Sequence, residues 1–344
     1  MRLAIIGFGS VGRAFVRLLL EKRRPLEREG IDAQVVYIID LGGGIYQPSG
    51  ITDADLMEIS RTKAQPSLYP HGGSMDVTFS RLLERRDVDV VVEMTPTNKD
   101  TGEPGMTHIK GSLGHGLHVV TSNKGPILLA YMELNRLARA NKVQLGIGCT
   151  CGGALPALNA GVIDMAGSNI LSIEGVLNGT TNFILNEMDQ ESLSYAEALT
   201  KAQELGIAET NPTLDVEGWD TASKLLILTN VLMNDNKTLK DIAVSGITEL
   251  TQIDIARAKR DGKRFRLIGK TTRFHDGLKM SVEPEEVSPG HPFYALEGAN
   301  KAIRYVSDTL GDLMIMGGAS DLRSAAASIL RDLINIHRGF GLPG

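Results

Sequence analysis

Cysteine is scarce in this chain: two among 344 residues, Cys149 and Cys151. Two thiols separated by one residue cannot staple a secreted fold, and the reading is a reducing, cytoplasmic setting. With no histidine cluster nearby, the pair does not resemble a metal or redox motif, and small buried residues are the expectation. Long apolar runs are also missing. Nothing approaches the roughly 18 residues that a membrane span requires, and the N-terminus enters a strand pattern at once, without a basic-then-apolar signal segment. Nor is there a surplus of positive charge. Lys and Arg number 36 against 41 Asp and Glu, a net charge of −5. That balance argues against nucleic acid as a main partner.

What the chain does hold is apolar residues (42%) and glycine (38 residues). Glycine is thus about 11% of the chain against an average near ~7%. The glycines are scattered among apolar runs and form no repeat, so they suggest close backbone approaches. The length favours two domains.

Arg2–Ile6 reads as a short buried strand, and Ser10–Leu20 has helical apolar spacing. The charged run Glu21–Arg28 reads as the solvated helix end and a turn at Pro25. Val35–Ile39 is a second strand ending in Asp40, followed by a Gly- and Pro-rich stretch, Leu41–Gly50, expected to be loop. Val88–Val92, Leu117–Val120 and Lys142–Ile147 are three further strands, with helical stretches between them. Such alternation implies a parallel sheet covered on both faces. Beyond Gly148 the pattern changes to α+β. Pro156–Met165, Tyr195–Gly206, Val216–Met233 and Asp321–Ile336 read as helices. Ile170–Leu177, Lys263–Arg273, Leu278–Val287 and Tyr305–Met316 read as strands.

Gly7-Phe8-Gly9-Ser10-Val11-Gly12 is a G-x-G-x-x-G motif lying between the first strand and its helix, the context that dinucleotide binding requires. The first glycine permits the turn, the second admits a pyrophosphate, and the third lets helix and strand pack closely. The helix N-terminus then offers N–H groups to the phosphates. Asp40, at the end of the second strand, suits the adenosine ribose hydroxyls and so favours NAD. It lies 28 residues past Gly12, against the usual ~20, which suggests an insertion over Glu21–Asp32. Lys63 leaves NADP open. Thr95-Pro96-Thr97-Asn98 and Ser122-Asn123-Lys124 follow later strands and belong to the same crevice, with Lys124 a candidate to point into it.

In the second half, Asp220 and Lys224 are four apart and share one helix face. The plain alternative is a surface ion pair worth a few tenths of a kcal/mol. Leu225–Met233, however, is apolar nearly all round, so the pair opens a buried helix, where hiding charge is expensive. A lysine so placed can exchange a proton with a reacting hydroxyl or carbonyl. Glu209 and Asp215 precede it, and carboxylates there suit an ammonium group, hence an amino-acid substrate.

Taken together, GFGSVG, EMTPTN, SNKGP, GGALP, VLNGTTNFIL and GIAETNPTLDVEGWDTASKL resemble the motifs of the homoserine dehydrogenase family, in the family's order and over nearly the whole chain. The resemblance implies NAD- or NADP-dependent interconversion of L-homoserine and L-aspartate 4-semialdehyde, towards threonine and methionine. It implies a Rossmann-type doubly wound parallel sheet (1–148), an α+β substrate and dimerisation domain (149–316), and a C-terminal helix returning to the first (317–344). In this reading Lys224 exchanges the proton at the substrate oxygen, with Asp220 and Lys124 also in the catalytic set. Glu209, Asp215, Asp220 and Thr180 hold the substrate. Gly7, Phe8, Gly9, Ser10, Val11, Gly12, Asp40, Thr95, Pro96, Ser122, Lys124, Gly206 and Gly318 border the cofactor, the last within a Gly317-Gly318-Ala319 turn. Backbone carbonyls of Gly148, Cys151, Gly153 and Leu155 would bind a monovalent cation such as Na+.

The chain departs from the family pattern at Gly148, often Glu, at Cys149 and Cys151, often Ala or Val, and at Asn211, often an acid. A homodimer is implied, with the strands of Lys263–Val287 as its candidate interface. The expectation also includes no C-terminal regulatory domain. Two other readings stand beside this one: a dinucleotide-sensing protein without catalysis, and a different dehydrogenase on the same architecture. A phosphorylating type would need a cysteine nucleophile with a histidine partner, and neither cysteine has an obvious one.

Overall fold

The RLAII run at the N-terminus forms β1 (Arg2–Ile6), buried from Leu3 onward. The structure is a computed structural model and describes residues 1–318 and 321–342. The chain divides into two units, Met1–Ala154 with Ser320–Gly344, and Leu155–Ala319.

In the first unit β1 leads into α1 (Ser10–Glu21), α2 (Arg23–Arg28), β2 (Gln34–Asp40), β3 (Gly43–Tyr46), α3 (Asp53–Arg61), β4 (Gly73–Ser74), α4 (Phe79–Arg85), β5 (Val90–Glu93), α5 (Gly105–Gly114), β6 (His118–Thr121), α6 (Lys124–Ala140) and β7 (Leu145–Gly146). The sheet runs β4-β3-β2-β1-β5-β6-β7. The five strands from β2 to β7 pair in parallel, and β3 and β4 extend the β2 edge antiparallel. Parallel strands are buried on both faces, which is why their sequences are continuous apolar runs. This is the expected α/β, doubly wound class.

Three local expectations change. The stretch Leu41–Gly50 is not all loop, because it contains β3, a strand held to β2 on one side and to β4 on the other by backbone bonds that need no side-chain pattern. The charged run after α1 forms a second helix. Pro25 fits its first turn, where a missing N–H costs nothing, and Leu26 is buried. Of Lys142–Ile147 only Leu145 and Gly146 pair with β6.

The second unit comprises α7 (Ala157–Ile163), β8 (Ile170–Val176), α8 (Gly179–Gln190), α9 (Tyr195–Glu204), α10 (Thr213–Val216), α11 (Trp219–Leu232), β9 (Ile242–Val244), α12 (Gln252–Arg260), β10 (Arg264–Phe274), β11 (Gly277–Val287), β12 (Lys301–Ser307) and β13 (Asp312–Gly317). Its sheet runs β13-β12-β8-β10-β11-β9 and is antiparallel except for β11 with β9. The alternation read as one strand over Tyr305–Met316 is a hairpin, β12 and β13. The helix expected over Val216–Met233 breaks at Gly218, whose φ of +87° ends α10 and starts α11. The helix α11 is buried from Leu225 to Val231 and packs on β8, β10 and β11.

On the other face of this sheet Val176, Ile268 and Ala302 pack with Phe293 and Leu296. Arg266, wholly buried, clamps that covering segment by donating to the carbonyls of Phe293 (3.1 Å), Tyr294 (3.1 Å) and Leu296 (2.7 Å). Burial pushes its guanidinium down to about 10.

The chain ends in α13 (Leu322–His337), capped by Asp321 and packed on α1, β6 and β7 of the first unit. No helix of the described residues is long and apolar enough to cross a membrane.

Candidate active site

In the first unit the turn between β1 and α1 is made by close approaches. Gly7 has φ +89°, and a Cβ there would lie 2.6 Å from the Met94 carbonyl carbon. A Cβ on Gly12 would lie 2.6 Å from the Gly7 carbonyl oxygen. Gly9 differs, since a Cβ there would meet nothing within 4 Å. Its lack of a side chain therefore serves something other than packing, which suits the approach of a pyrophosphate. Gly9 is also the N-cap of α1 and makes no side-chain cap, so the first-turn N–H groups have no side-chain acceptor from that position. Phe8 is buried and lies under the Arg13 guanidinium, 4.6 Å from the ring centre. Ser10 and Val11 open the helix.

Asp40 ends β2 and turns toward this loop, accepting from the backbone N–H of Phe8 (3.3 Å) and of Leu41 (2.9 Å). Arg13 donates to the carbonyls of Ile59 and Ala64. Burial lowers its affinity for its proton, and nearby Asp40 opposes that shift. Lys63 is exposed.

The ends of β5 and β6 are locked by Glu93, a fully buried acid that the sequence reading left without a role. Its carboxylate accepts from the Thr95 N–H (2.9 Å), the Thr95 hydroxyl and the Thr121 hydroxyl (2.8 Å). Asn123 caps α6 through Gly125 N–H and donates to Pro96 O (3.3 Å), tying both loops together. Pro96 is exposed, and Ser122 and Lys124 are half-buried. Lys124 is the first residue of α6. A cation there opposes the helix dipole, so helix stability does not explain it.

The second unit carries the acid and lysine cluster. Lys224 Nζ donates to Asp220 Oδ2 at 2.6 Å and to the Leu177 carbonyl at 2.8 Å. The two side chains are only 14% and 13% exposed, so this is no solvated surface pair. Asn178 joins it to Asp215: its amide donates to Asp215 Oδ1 (2.7 Å) and Asp220 Oδ2 (2.8 Å) while its oxygen caps α8 at Thr181 N–H (2.9 Å). Asp215, Asp220 and Lys224 are thus brought together. Thr180, in the first turn of α8, donates to Ile207 O at 3.0 Å. A lysine amine between a carboxylate and a carbonyl, beside a second carboxylate, can exchange a proton with a substrate hydroxyl while the acids hold an ammonium group.

Residues 156–334 match the sequence profile of the homoserine dehydrogenase family. A homoserine dehydrogenase of Methanocaldococcus jannaschii is 37% identical over 98% of both chains. The chain belongs to the homoserine dehydrogenase family. An NAD(+)-dependent homoserine dehydrogenase of Pseudomonas canavaninivorans is also 37% identical, over 98% of this chain and 96% of its own. The solved structure of a hyperthermophilic archaeal homoserine dehydrogenase mutant in complex with NADPH matches with a TM-score of 0.83 at 27% identity, over 100% of this chain and 99% of that one. The chain is therefore an NAD(P)-dependent oxidoreductase of CH–OH groups, interconverting L-homoserine and L-aspartate 4-semialdehyde in amino-acid biosynthesis. The sensor and the alternative dehydrogenase are set aside.

Within this homoserine dehydrogenase the remaining candidate residues are dispersed. Glu209 is exposed in the loop after α9 and is not part of the hydrogen-bonded cluster. Gly206, φ +69°, follows the end of α9. Gly318 has φ +84°, and a Cβ there would lie 2.6 Å from Leu155 N. Ala319 of the expected glycine turn lies outside the described residues. In the proposed cation loop, Gly148 N–H donates to buried Asp332 (2.6 Å), and Gly152 and Gly153 both have positive φ. Cys151 is buried, and burial pushes the Cys149 thiol up to about 12, so neither cysteine has the look of a nucleophile. Among the described residues no group of three or more His, Cys, Asp or Glu is placed to hold a metal.

Sequence reasoning missed Asn178 as the bridge, Glu93 as the lock, and Lys301. The last had a signal, because Lys301 falls on the same strand face as Ile303 and Tyr305, both fully buried.

Proposed function

We propose that Lys224 is the acid–base residue of the homoserine dehydrogenase reaction. In oxidation its neutral amine takes the proton of the substrate hydroxyl. In reduction its ammonium returns that proton and stabilises the developing alkoxide. Asp220 and the Leu177 carbonyl aim the amine, and Asp220 and Asp215, with Glu209 and Thr180, hold the amino-acid part of the substrate. Lys124 supplies a second cation. The dinucleotide, when bound, carries the hydride. Gly7 to Gly12 with the α1 N-terminus would hold its phosphates and Asp40 its adenosine ribose, with Thr95, Pro96, Ser122, Gly206 and Gly318 at its border. An acid at Asp40, held toward the motif by Phe8 N–H, supports NAD over NADP.

The supporting observation is the half-hidden Asp220–Lys224 pair bridged by Asn178 to a second carboxylate. Steady-state oxidation of homoserine, followed at the nicotinamide absorbance, tests it. Lys224→Ala lowers kcat at least about a hundredfold, at the lower end of acid–base effects, with cofactor affinity unchanged. Near-normal turnover sinks the assignment.

The reading also includes a cytoplasmic enzyme that binds neither nucleic acid nor membrane. Carbonyls of Gly148, Cys151, Gly153 and Leu155 bind a monovalent cation such as Na+. The enzyme is a homodimer through the sheet of the second unit, where Leu171, Phe274 and Met316 are exposed on strands. Sedimentation at equilibrium checks the dimer, and activity with Na+ replaced by a bulky organic cation checks the ion.

A further inference from the structure

Glu93 is the last residue of β5 and is fully buried. Burying an ion is expensive unless its surroundings compensate it. An ionised carboxyl is acceptor-only, and donors converge on both of its oxygens here. The Thr95 N–H (2.9 Å) and the Thr95 hydroxyl reach Oε1, and the Thr121 hydroxyl (2.8 Å) reaches Oε2. All three donors are neutral, so they solvate the charge without cancelling it. The imidazole of His108, on α5, stands beside Oε1. Its Nδ1 is 3.9 Å away and makes no hydrogen bond among the described residues. The hydroxyls carry the order outward. With its proton on Glu93, Thr121 accepts from the Asn123 N–H (2.9 Å), and Thr95 accepts from the Asn123 amide (3.4 Å). Thr95 is also a wall of the dinucleotide turn, because a Cβ on Gly7 would lie 2.7 Å from the Thr95 nitrogen. That nitrogen is the one that donates to Glu93. A single residue thus separates the buried carboxylate from the G-x-G-x-x-G turn.

We propose that Glu93 is a positioning residue that selects the redox form of the cofactor: its buried negative charge, held beneath the loops that follow β5 and β6, favours the oxidised nicotinamide over the reduced one. The inference rests on the placement of the dinucleotide at the Gly7 to Gly12 turn.

The topology gives the direction. In the sheet β1 lies between β2 and β5, and the strand order reverses there. A dinucleotide with its pyrophosphate at the β1 turn and its adenosine ribose at Asp40 on β2 crosses to the β5 side. Its nicotinamide end then falls on the two loops that Glu93 holds. That ring is a cation in the oxidised cofactor and neutral in the reduced one, while the rest of the molecule keeps its charge. A fixed buried carboxylate therefore acts on the difference between the two forms, in a medium that screens it less than water does. Lys124, one residue past Asn123, acts in the opposite sense, and its contribution is common to wild type and Glu93 variants. A carboxylate that stabilises the ring's positive charge also favours hydride donation, the direction that makes homoserine.

The experiment is calorimetric titration of the enzyme, without substrate, with NAD+ and NADH and with NADP+ and NADPH. The variants are Glu93→Gln, His108→Lys, Thr121→Val and Gly9→Ala. Glu93→Gln keeps the side chain's length and removes its charge. His108→Lys keeps Glu93 and sets a permanent cation beside it, so it decides the matter alone if the Gln variant does not fold. Both raise the Kd of the oxidised cofactor about tenfold and leave that of the reduced one within about twofold of wild type. Thr121→Val loosens the loops but keeps the carboxylate charge, so it weakens both forms by the same factor and lowers the melting temperature. The proposal is overturned if Glu93→Gln and His108→Lys shift both forms equally or neither, or if Thr121→Val is as selective as they are. If Gly9→Ala leaves every Kd unchanged, the placement of the dinucleotide fails instead.

Discussion

The Asn178 amide donates, at 2.8 Å, to the same Asp220 oxygen that accepts the Lys224 ammonium. That oxygen is shared by the neutral amide and the cation, and the amide's other contact reaches Asp215. Asn178 therefore has two jobs, capping α8 and fixing the carboxylate that aims Lys224.

The two jobs separate by substitution. Asn178→Ser keeps a good N-cap, for Ser and Asn are about equal there, but it cannot span both acids. The melting temperature should change little while kcat falls about tenfold, the scale of one charge-assisted bond near ~1.5 kcal/mol. Loss of stability without loss of kcat contradicts the shared role.

Glycine substitutions should sort by the space around each residue. Gly12→Ala drives a Cβ into the Gly7 carbonyl oxygen, 2.6 Å away, and should lower both stability and cofactor affinity. Gly9→Ala has open space in the protein. It should leave thermal unfolding unchanged and raise the cofactor Kd at least about tenfold, because the methyl stands where a pyrophosphate must approach. Equal damage to stability by both variants counts against a phosphate role for Gly9.

Asp40→Ala removes the acid expected at the adenosine ribose. Charge-assisted hydrogen bonds are worth about 1.5–3 kcal/mol, so KM for NAD should rise about tenfold or more while KM for NADP changes less. Paired kinetics with the two cofactors decide it. An unchanged ratio removes Asp40 from cofactor choice.

Lys301 also makes a stability prediction. Its proton affinity falls from the ordinary 10.5 to about 8 on folding. Between those values the unfolded chain holds a proton that the folded chain has released, so stability rises with pH across that window. At pH 7 the buried charge costs about 3 kcal/mol, at ~1.36 kcal/mol per unit. Lys301→Met should therefore melt higher than wild type at pH 7, with the gain shrinking by pH 10. A gain that does not depend on pH argues against a buried, charged Lys301.

Much of the dinucleotide-binding unit was legible because its signals are local. β1, the glycine turn and α1 are contiguous, and Asp40 follows a run of buried residues. β3 was hidden because four residues with two glycines carry no periodicity. α8 was hidden for a different reason: Thr180, Thr181, Asn182, Asn186 and Asp189 are all buried in it, so polarity no longer marks its exposed face. At the site, Asp220 and Lys224 showed themselves by helical spacing. Asn178 lies 37 residues from Asp215 and 42 from Asp220, a distance that only the fold closes. Lys301 was passed over because a lysine is ordinarily a surface residue, and only its strand parity said otherwise.

The return of α13 has a consequence for synthesis. Ala326, Ile329, Leu330, Leu333 and Ile336 complete the core that α1 shares, yet they leave the ribosome after the whole of the second unit. The dinucleotide-binding unit must wait with an open apolar side while a contiguous segment of the chain, complete earlier, is already able to fold. A nascent chain stalled before Leu322 should thus display a finished insert and an unfinished host, recruiting chaperones to α1 rather than to the site of chemistry.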